Sequence, residues 1–285
     1  MRILLTGGNG QVGWELRKTL APLGEILAPG RTELDLRDAA RLREAVRAAN
    51  ADVIVNAAAY TAVDRAESER DAAFAVNAAA PGVLAEEAKK SGALLVHYST
   101  DYVFDGEKPA PYLEEDAPNP INVYGASKLA GERAIAASGC RHLILRTSWV
   151  YGPRGGNFML TMLRLARERP ELRVVDDQVG APTSSLAIAR ATAQVLRPGA
   201  HGTYHLSAAG HTSWCGFARA ILKRAGIATP VTAIRTADYP TPAKRPRNSR
   251  LDCARLRADF GISLAPWEEQ LAETMAARSY NFDRA

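Results

Sequence analysis

The chain has 285 residues, 47% of them hydrophobic and 24% charged, with a formal net charge of +5. That length buries a sizeable core as one large domain or two smaller ones, and the composition excludes a disordered, collagen-like or membrane-spanning chain. No apolar run approaches the length a bilayer requires, and no basic run is interleaved with aromatics, so the charge points to an anionic small molecule rather than to nucleic acid or a membrane.

Met1-Arg2 leads directly into a buried-strand pattern without a signal-peptide apolar segment. Cys140, Cys215 and Cys253 are odd in number and scattered, and read as reduced thiols. A cytoplasmic protein is expected.

Residues 2–6 read as a short apolar strand, and Thr6-Gly7-Gly8-Asn9-Gly10-Gln11-Val12-Gly13 follows at once. Residues 11–20 then have helical periodicity, with Val12, Leu16 and Leu20 on one face. The glycines fit Gly8-x-Gly10-x-x-Gly13 or Gly7-x-x-Gly10-x-x-Gly13. Either spacing turns the chain tightly, lets backbone approach a pyrophosphate and sets a helix N-terminus against phosphate. Gly7, Gly10, Gln11 and Val12 are therefore candidates for holding a dinucleotide.

A second strand, residues 25–28, ends at Pro29-Gly30-Arg31. An NAD site usually carries an acid here for the ribose hydroxyls, whereas Arg31 suits a 2′-phosphate. A surface arginine in a turn is an equal reading, so NADPH is expected with NADH as the alternative. Asp35 and Leu36 lie where an adenine could be contacted.

Residues 38–50 read as a helix and 52–56 as a buried parallel strand running into Ala57-Ala58-Ala59-Tyr60. Small residues at such a strand end let a flat cofactor lie on the backbone, which makes Ala58, Ala59 and Tyr60 candidates, although close helix–sheet packing asks for the same residues. Residues 71–91 read as one alanine-rich helix carrying Asn77. Residues 93–99 form the next strand, with His97 as a satisfied core histidine. It ends in Ser99-Thr100-Asp101-Tyr102-Val103-Phe104-Asp105-Gly106. Ser99 and Thr100 thus stand at a central strand end beside the expected nicotinamide, with Ser99 a cofactor candidate, and the Thr100 hydroxyl can bond a substrate carbonyl there. Residues 109–120, rich in proline and acids, suit a surface flap.

A helix begins at Asn122 or Val123 and carries Tyr124 and Lys128 four residues apart, on one face and one turn from each other. An ammonium near a phenol favours phenolate and lowers a pKa that is normally about 10. The phenol would then exchange protons near neutral pH. Any amphipathic helix can produce the pair, so it is weak alone. Residues 142–147 are a further buried strand, and the alternation of strand and helix predicts an α/β fold with a doubly wound parallel sheet.

In this order, the strand–glycine turn–helix, Thr100 and Tyr124-x-x-x-Lys128 resemble the extended short-chain dehydrogenase/reductase superfamily. Within it, seven stretches are similar to the dTDP-4-dehydrorhamnose reductase family. They are Gly10–Leu16 (GQVGWEL), Asn56–Glu67 (NAAAYTAVDRAE), Ser99–Gly106 (STDYVFDG), Asn122–Glu132 (NVYGASKLAGE), Arg146–Gly152 (RTSWVYG), Asp177–Thr183 (DQVGAPT) and Arg245–Asp252 (RPRNSRLD). The resemblance implies reduction of the C4 ketone of dTDP-4-dehydro-L-rhamnose by NAD(P)H. It implies Tyr124 as proton donor, Lys128 as the residue that orients the nicotinamide ribose and lowers the Tyr124 pKa, and Thr100 as the group polarising the ketone. Asp101, Val103, Phe104 and Trp149 would border the sugar or its carrier nucleotide.

Some members of that family dimerise through a magnesium ion held by carboxylates, one of them on the first helix. Glu15 matches that position, but Ser184-Ser185-Leu186 supplies no acid, and Glu15 reads as well as a solvent-facing residue. No such metal is expected, and monomer and homodimer both stay open. Sister dehydratases follow the threonine with an acidic pair, and here Asp101 is followed by Tyr102. A non-catalytic NADP-binding regulatory subunit, the other rival, could lose the catalytic residues, yet Thr100, Tyr124 and Lys128 are all present.

Beyond Tyr151-Gly152-Pro153 the expected elements are an amphipathic helix at 158–169, a strand at 173–176, helices at 186–196 and 213–226, and a strand at 202–207. Residues 1–152 are expected to form the NADP-binding domain with 184–210 packing back on it. Residues 153–183 and 211–285 are expected to form the substrate domain. Lys244, Arg245, Arg247 and Arg250 fall in seven residues and could grip a diphosphate, with Asn248 and Ser249 adding neutral contacts. Arg245 and Asn248 are the substrate candidates of this segment. His201, His205 and His211 invite a zinc reading, with the first two on one sheet face, but no thiol or carboxylate stands at ligand spacing. Trp14 and Trp214 read as packing residues.

Overall fold

In the computed structural model, residues 1–282 are described. Five apolar stretches become the strands β1 (Arg2–Thr6), β2 (Glu25–Leu27), β3 (Val53–Asn56), β4 (Leu94–Thr100) and β5 (His142–Thr147). With Gly202–His205 they form one sheet in the order Gly202–His205, β5, β4, β3, β1, β2. Every pairing in it is parallel. β3 and β4 are buried along their whole length, as a sheet covered on both faces requires.

Alternation along each strand divides the side chains between two cores. Ile3, Leu5, Val53, Val55, Val96, Leu143 and Leu145 pack on one face with Leu16 of α1 (Gln11–Thr19). Leu4, Ile54, Leu95 and Ile144 pack on the other, with Leu42 of α2 (Ala39–Ala49). Asp38 caps α2 by accepting from the backbone N–H groups of Ala40 and Arg41, and Asn50 closes it in the left-handed region at φ 43°. From β1 the chain winds outward to β2 and then returns to the other side of β1 as β3. The carboxyl ends of β1 and β3 therefore border the crevice where such sheets take ligands.

The single helix expected at 71–91 is three pieces. After α3 (Val63–Ala66) come α4 (Arg70–Phe74), a π-helical turn Ala75–Ala79, and α5 (Ala80–Ser91). The wide turn points Asn77 inward, where it accepts from the Tyr60 N–H (2.8 Å) and donates to the Tyr60 carbonyl and the Ser127 hydroxyl (3.0 Å each). α6 (Val123–Ser138) follows the 109–120 segment. That segment is pinned rather than a free flap. Tyr112 stacks on Phe104 at 4.2 Å, its phenol accepts from the Gly106 N–H, and its backbone N–H donates to the Arg250 carbonyl.

A smaller core gathers Tyr151, Met159, Leu163, Phe217, Ile221, Trp267 and Leu271. They come chiefly from α7 (Phe158–Glu168), α9 (Trp214–Arg224) and α11 (Trp267–Phe282), beside a parallel pair formed by Leu172–Val175 and Val231–Ile234. α8 (Ser185–Val195) lies between α7 and α9 in the chain, but its Ile188 and Ala189 join the core against α1. α10 (Ala254–Phe260), expected in the second domain, also packs on the sheet, through Leu256, with Ile262 beyond it. The apolar pattern of these residues does not say which of two cores receives them.

Candidate active site

The glycine turn is shaped by close backbone approach. Gly7 has φ 71°, and a Cβ there would lie 2.5 Å from the Ala58 nitrogen. The Gly10 N–H donates to the Gly7 carbonyl at 2.9 Å. Gly10 caps α1 without a side-chain hydrogen bond, so the first amides of that helix face the crevice without an internal partner from the cap. These features, with Ala58 and Ala59 at the end of β3, fit a dinucleotide pyrophosphate.

The side chain of Gln11 is otherwise engaged. Its Oε1 accepts from Asn157 Nδ2 at 2.9 Å and its Nε2 reaches the Gly156 carbonyl at 3.5 Å, so only its backbone is available to a cofactor. Val12 packs against the first core. Arg17, a residue that in sequence is only a basic side chain near a helix end, ties the turn to β2. Its guanidinium donates to the carbonyls of Gly8 (3.1 Å) and Ala28 (3.2 Å). Arg31 is exposed beyond the end of β2. Asp35 is held by Arg37, which keeps its carboxyl down at about 2, and Leu36 packs against the second core. Tyr60 donates its phenol hydrogen to Glu69 at 2.7 Å.

At the end of β4, Thr100 accepts from the Tyr102 N–H (3.2 Å) and donates to Asp101 Oδ1 (3.0 Å). The proton expected to face a ketone is therefore directed at a carboxylate. Asp101 is 3% exposed. Burial raises its carboxyl to about 6, against the hydroxyls of Ser249 and Thr100. Its Oδ2 is buried without a partner, as are the hydroxyls of Ser99 and of Thr147, the register neighbour of Thr100. By the alternation of the strands, Ser99 and Thr147 stand on opposite faces of the sheet.

Asn122 caps α6 by accepting from the Gly125 N–H at 2.7 Å, which sets Tyr124 and Lys128 in its first turns. The sequence expectation for this pair needs correction. Lys128 is 2% exposed. Its Nζ donates to the Tyr98 carbonyl at 2.6 Å and meets His97 Nε2 at 3.1 Å. Burial lowers the amine to about 8, partly offset by the charge of Glu132. The Tyr124 phenol is raised, not lowered, to about 12. Burial is the main cause and the Asp101 charge adds to it, while the Thr100 hydroxyl pulls the other way. Helical spacing put both side chains on one face, but the buried ammonium went to the acceptors on β4. Tyr102 packs edge-on against Tyr124, centroids 5.6 Å apart.

The substrate candidates divide. Val103 and Phe104 are buried in a small cluster with Tyr112, Leu129 and Leu251, so they act as packing. Trp149 adopts φ 49°, rare for a non-glycine, and stacks on Trp214 at 3.5 Å. Its ring lies against Gly180, where a Cβ would be 2.5 Å away. Trp214, read as mere packing, is thus the support of Trp149. Arg245 is committed to Asp64 through two bonds of 3.1 and 2.8 Å. Asn248 donates to the carbonyls of Lys108 and Ala110 and accepts from Arg250. Arg247 instead lines a cavity of about 460 Å³ with Lys108, His211, Thr212 and Ser213.

The histidines separate as well. The His201 ring meets His142 at 4.7 Å, and His205 is buried with Nδ1 facing the Asp252 carbonyl. Trp14 is 36% exposed, with the Arg154 guanidinium 3.5 Å from its ring centre, so it is not core packing. Glu15 is buried and paired with Lys18 at 3.2 Å, rather than facing solvent.

A parallel sheet with a glycine turn at its switch point defines a dinucleotide-binding protein of the extended short-chain dehydrogenase/reductase class. The family model described as the RmlD substrate binding domain matches residues 1–279. The chain is 50% identical to a dTDP-4-dehydrorhamnose reductase of Burkholderia thailandensis, over 94% of this chain and 95% of the relative. It is 47% identical to the reductase of the same name from Escherichia coli K12, with the same coverage. The crystal structure of a dTDP-4-dehydrorhamnose reductase from Bacillus anthracis in complex with NADP superposes with a TM-score of 0.94 at 38% identity, covering 97% of this chain and 99% of that one. A Thermus thermophilus UDP-glucose 4-epimerase shares the fold alone, at TM-score 0.82 and 23% identity, with 96% and 97% covered. The chain belongs to the dTDP-4-dehydrorhamnose reductase family.

Proposed function

We propose that this chain reduces the C4 ketone of dTDP-4-dehydro-L-rhamnose to give dTDP-L-rhamnose, with NADPH as the reductant and Tyr124 as the proton donor. The observation that carries the reading is the Tyr124 hydroxyl placed beside that of Thr100 at the carboxyl end of a central strand, where burial favours the protonated phenol. The turn Gly7–Gly10, the backbone of Gln11 and the Ala58-Ala59 backbone would hold the cofactor. When bound, NADPH supplies the hydride.

Tyr124 is suited to be an acid rather than a base. A phenol raised to about 12 holds its proton until an alkoxide develops beside it, and an alkoxide is basic enough to take that proton. Thr100 offers a second hydroxyl to the same oxygen once its hydrogen turns from Asp101. Lys128 places positive charge one helical turn away, which favours the tyrosinate left behind. Trp149 and Asp101 would border the sugar, Ser99 stays a cofactor candidate, and Arg247 is a better candidate than Arg245 for the diphosphate. Asp101 has no adjacent second acid, which weighs against dehydration.

Among the described residues no helix is long and apolar enough to cross a membrane. We place the chain in the cytoplasm, as a monomer or homodimer. The deciding assay follows NADPH consumption with enzymatically generated dTDP-4-dehydro-L-rhamnose, beside uridine-linked and other keto sugars. Selective turnover of the thymidine-linked 4-ketone is expected. Absence of turnover with every keto sugar would overturn the reading in favour of a binding role.

A further inference from the structure

Three polar side chains cross the sheet in one row. Thr6 on β1 is the register neighbour of Asn56 on β3, which is the neighbour of His97 on β4. Their alternation puts them on the face that α6 covers. All three are buried, and the adjoining row on that face, Leu4, Ile54 and Leu95, is apolar. Thr6 Oγ1 lies 2.6 Å from Asn56 Oδ1, Asn56 Nδ2 lies 3.0 Å from His97 Nδ1, and His97 Nε2 lies 3.1 Å from Lys128 Nζ. A polar row of this kind is costly inside a core unless every member is satisfied.

We propose that His97 is the positioning residue of Lys128, its ring set by Asn56 and Thr6 so that Nε2 accepts a hydrogen from the ammonium and fixes Nζ between β4 and α6. This rests on the reductase reading above and adds a residue to it.

The hydrogens of the row follow from that bond. An ammonium can only donate, so Nε2 carries no proton and a neutral imidazole has its proton on Nδ1. Nδ1–H then needs an acceptor, and the Asn56 amide supplies one when its oxygen turns toward the ring, the reverse of the placement in which Oδ1 faces Thr6 and Nδ2 faces His97. The Asn56 amide nitrogen is left to donate to the Thr6 hydroxyl oxygen. The other arrangement, with Nδ2 toward His97 and Nε2 protonated, requires Lys128 to be a free amine. Two features favour the charged lysine. The Tyr98 carbonyl is a second acceptor at 2.6 Å, and Glu132, one turn along α6, faces it with a negative charge while Arg146 holds that carboxylate from β5. His97 itself stays neutral, because burial and the neighbouring ammonium both hold its pKa well below the usual range.

An acceptor that stabilises the ammonium keeps the lysine charged to higher pH. Replacing His97 by Leu therefore moves the alkaline limb of kcat to lower pH by about one unit, with kcat falling roughly tenfold. His97→Gln returns an acceptor at the Nε2 position and stays within about threefold of wild type.

The test has two independent arms. In the first, nitrogen-15 NMR of the imidazoles in the unmodified, cofactor-free protein reads the tautomer. With five histidines in the chain, the His97→Gln variant assigns the signal. A neutral ring protonated on Nδ1 at pH 7 is expected, and an Nε2-protonated or cationic ring overturns the proposal. In the second, pH profiles of kcat are compared for wild type, His97→Leu and His97→Gln. A folded His97→Leu variant with the wild-type profile also overturns it. If no keto sugar is turned over at all, the reductase reading fails while the NMR arm still decides the row.

Discussion

Gly13 faces the Gly7 carbonyl so closely that a Cβ on residue 13 would sit 2.0 Å from that oxygen. Backbone cannot retreat from such a contact as a flexible side chain would, so Gly13→Ala must open the turn. We expect a stability loss of about 1–3 kcal/mol, as for other overpacked sites, and NADPH affinity weakened by more than tenfold. Cofactor titration by fluorescence checks this, and unchanged affinity would show that the turn does not bind the pyrophosphate.

Tyr124→Phe removes the hydroxyl and leaves the ring against Tyr102. NADPH binding should be retained while turnover falls by roughly 10²-fold or more. A steady-state assay beside a binding measurement separates the two, and near-normal turnover removes Tyr124 as the proton donor.

Asp101 makes stability depend on pH in a defined direction. Its carboxyl is raised from 3.8 to about 6 by burial. The contribution of its protonated form is fully present below 3.8 and is lost as pH rises through about 6. At pH 7.5 the buried charge costs about 3 kcal/mol. Asp101→Asn should therefore stabilise the chain at pH 7.5 by up to that amount, with little effect near pH 3.5, and it should reduce activity. Urea unfolding at the two pH values reads the difference; a variant less stable at pH 7.5 contradicts the assignment.

Glu132 and Arg146 join α6 to β5 through bonds of 2.7 and 2.9 Å, both side chains only 6% exposed. Glu132→Ala leaves a guanidinium buried without its counter-charge, and a loss of about 3–5 kcal/mol is expected. Thermal melting tests it, and a shift of only a degree or two would show that water reaches Arg146.

Arg31 is exposed beyond the end of β2, whereas Arg17 is spent on the Gly8 and Ala28 carbonyls, and the proposed reading gives Arg31 the 2′-phosphate. The ratio of kcat/KM for NADPH over NADH should drop in Arg31→Ala by roughly tenfold, as expected for loss of a charge-assisted phosphate contact. An unchanged ratio would remove Arg31 from the cofactor site.

The sheet was legible in the sequence because each strand is a short apolar run closed by a loop or helix signal, and the glycine turn because its glycines directly follow β1. Helix starts at Asp38 and Asn122 are equally local in their signals. What stayed hidden depends on partners far along the chain. The π-turn at Asn77 exists for Tyr60 and Ser127, and the direction taken by Lys128 is set by His97 and Tyr98 on another element. The arginine-rich segment looked uniform, yet Arg245 is consumed by Asp64, 181 residues earlier, while Arg247 is not. Charge spacing alone does not tell an occupied guanidinium from a free one.

The segment that carries Arg245 also has consequences for the order in which the molecule assembles. During synthesis, β1 to β5 can pair as soon as they emerge, but the outer edge of β5 stays bare until Gly202–His205 arrives. The wall that Arg245, Asn248 and Arg250 lend to the loops around Asp64, Lys108 and Pro109 comes later still. A nascent chain would thus acquire the strands β1 to β5 first and this wall only near the end of translation. Premature termination between residues 206 and 244 would release a chain with the six-stranded sheet and Tyr124 present but with that wall missing.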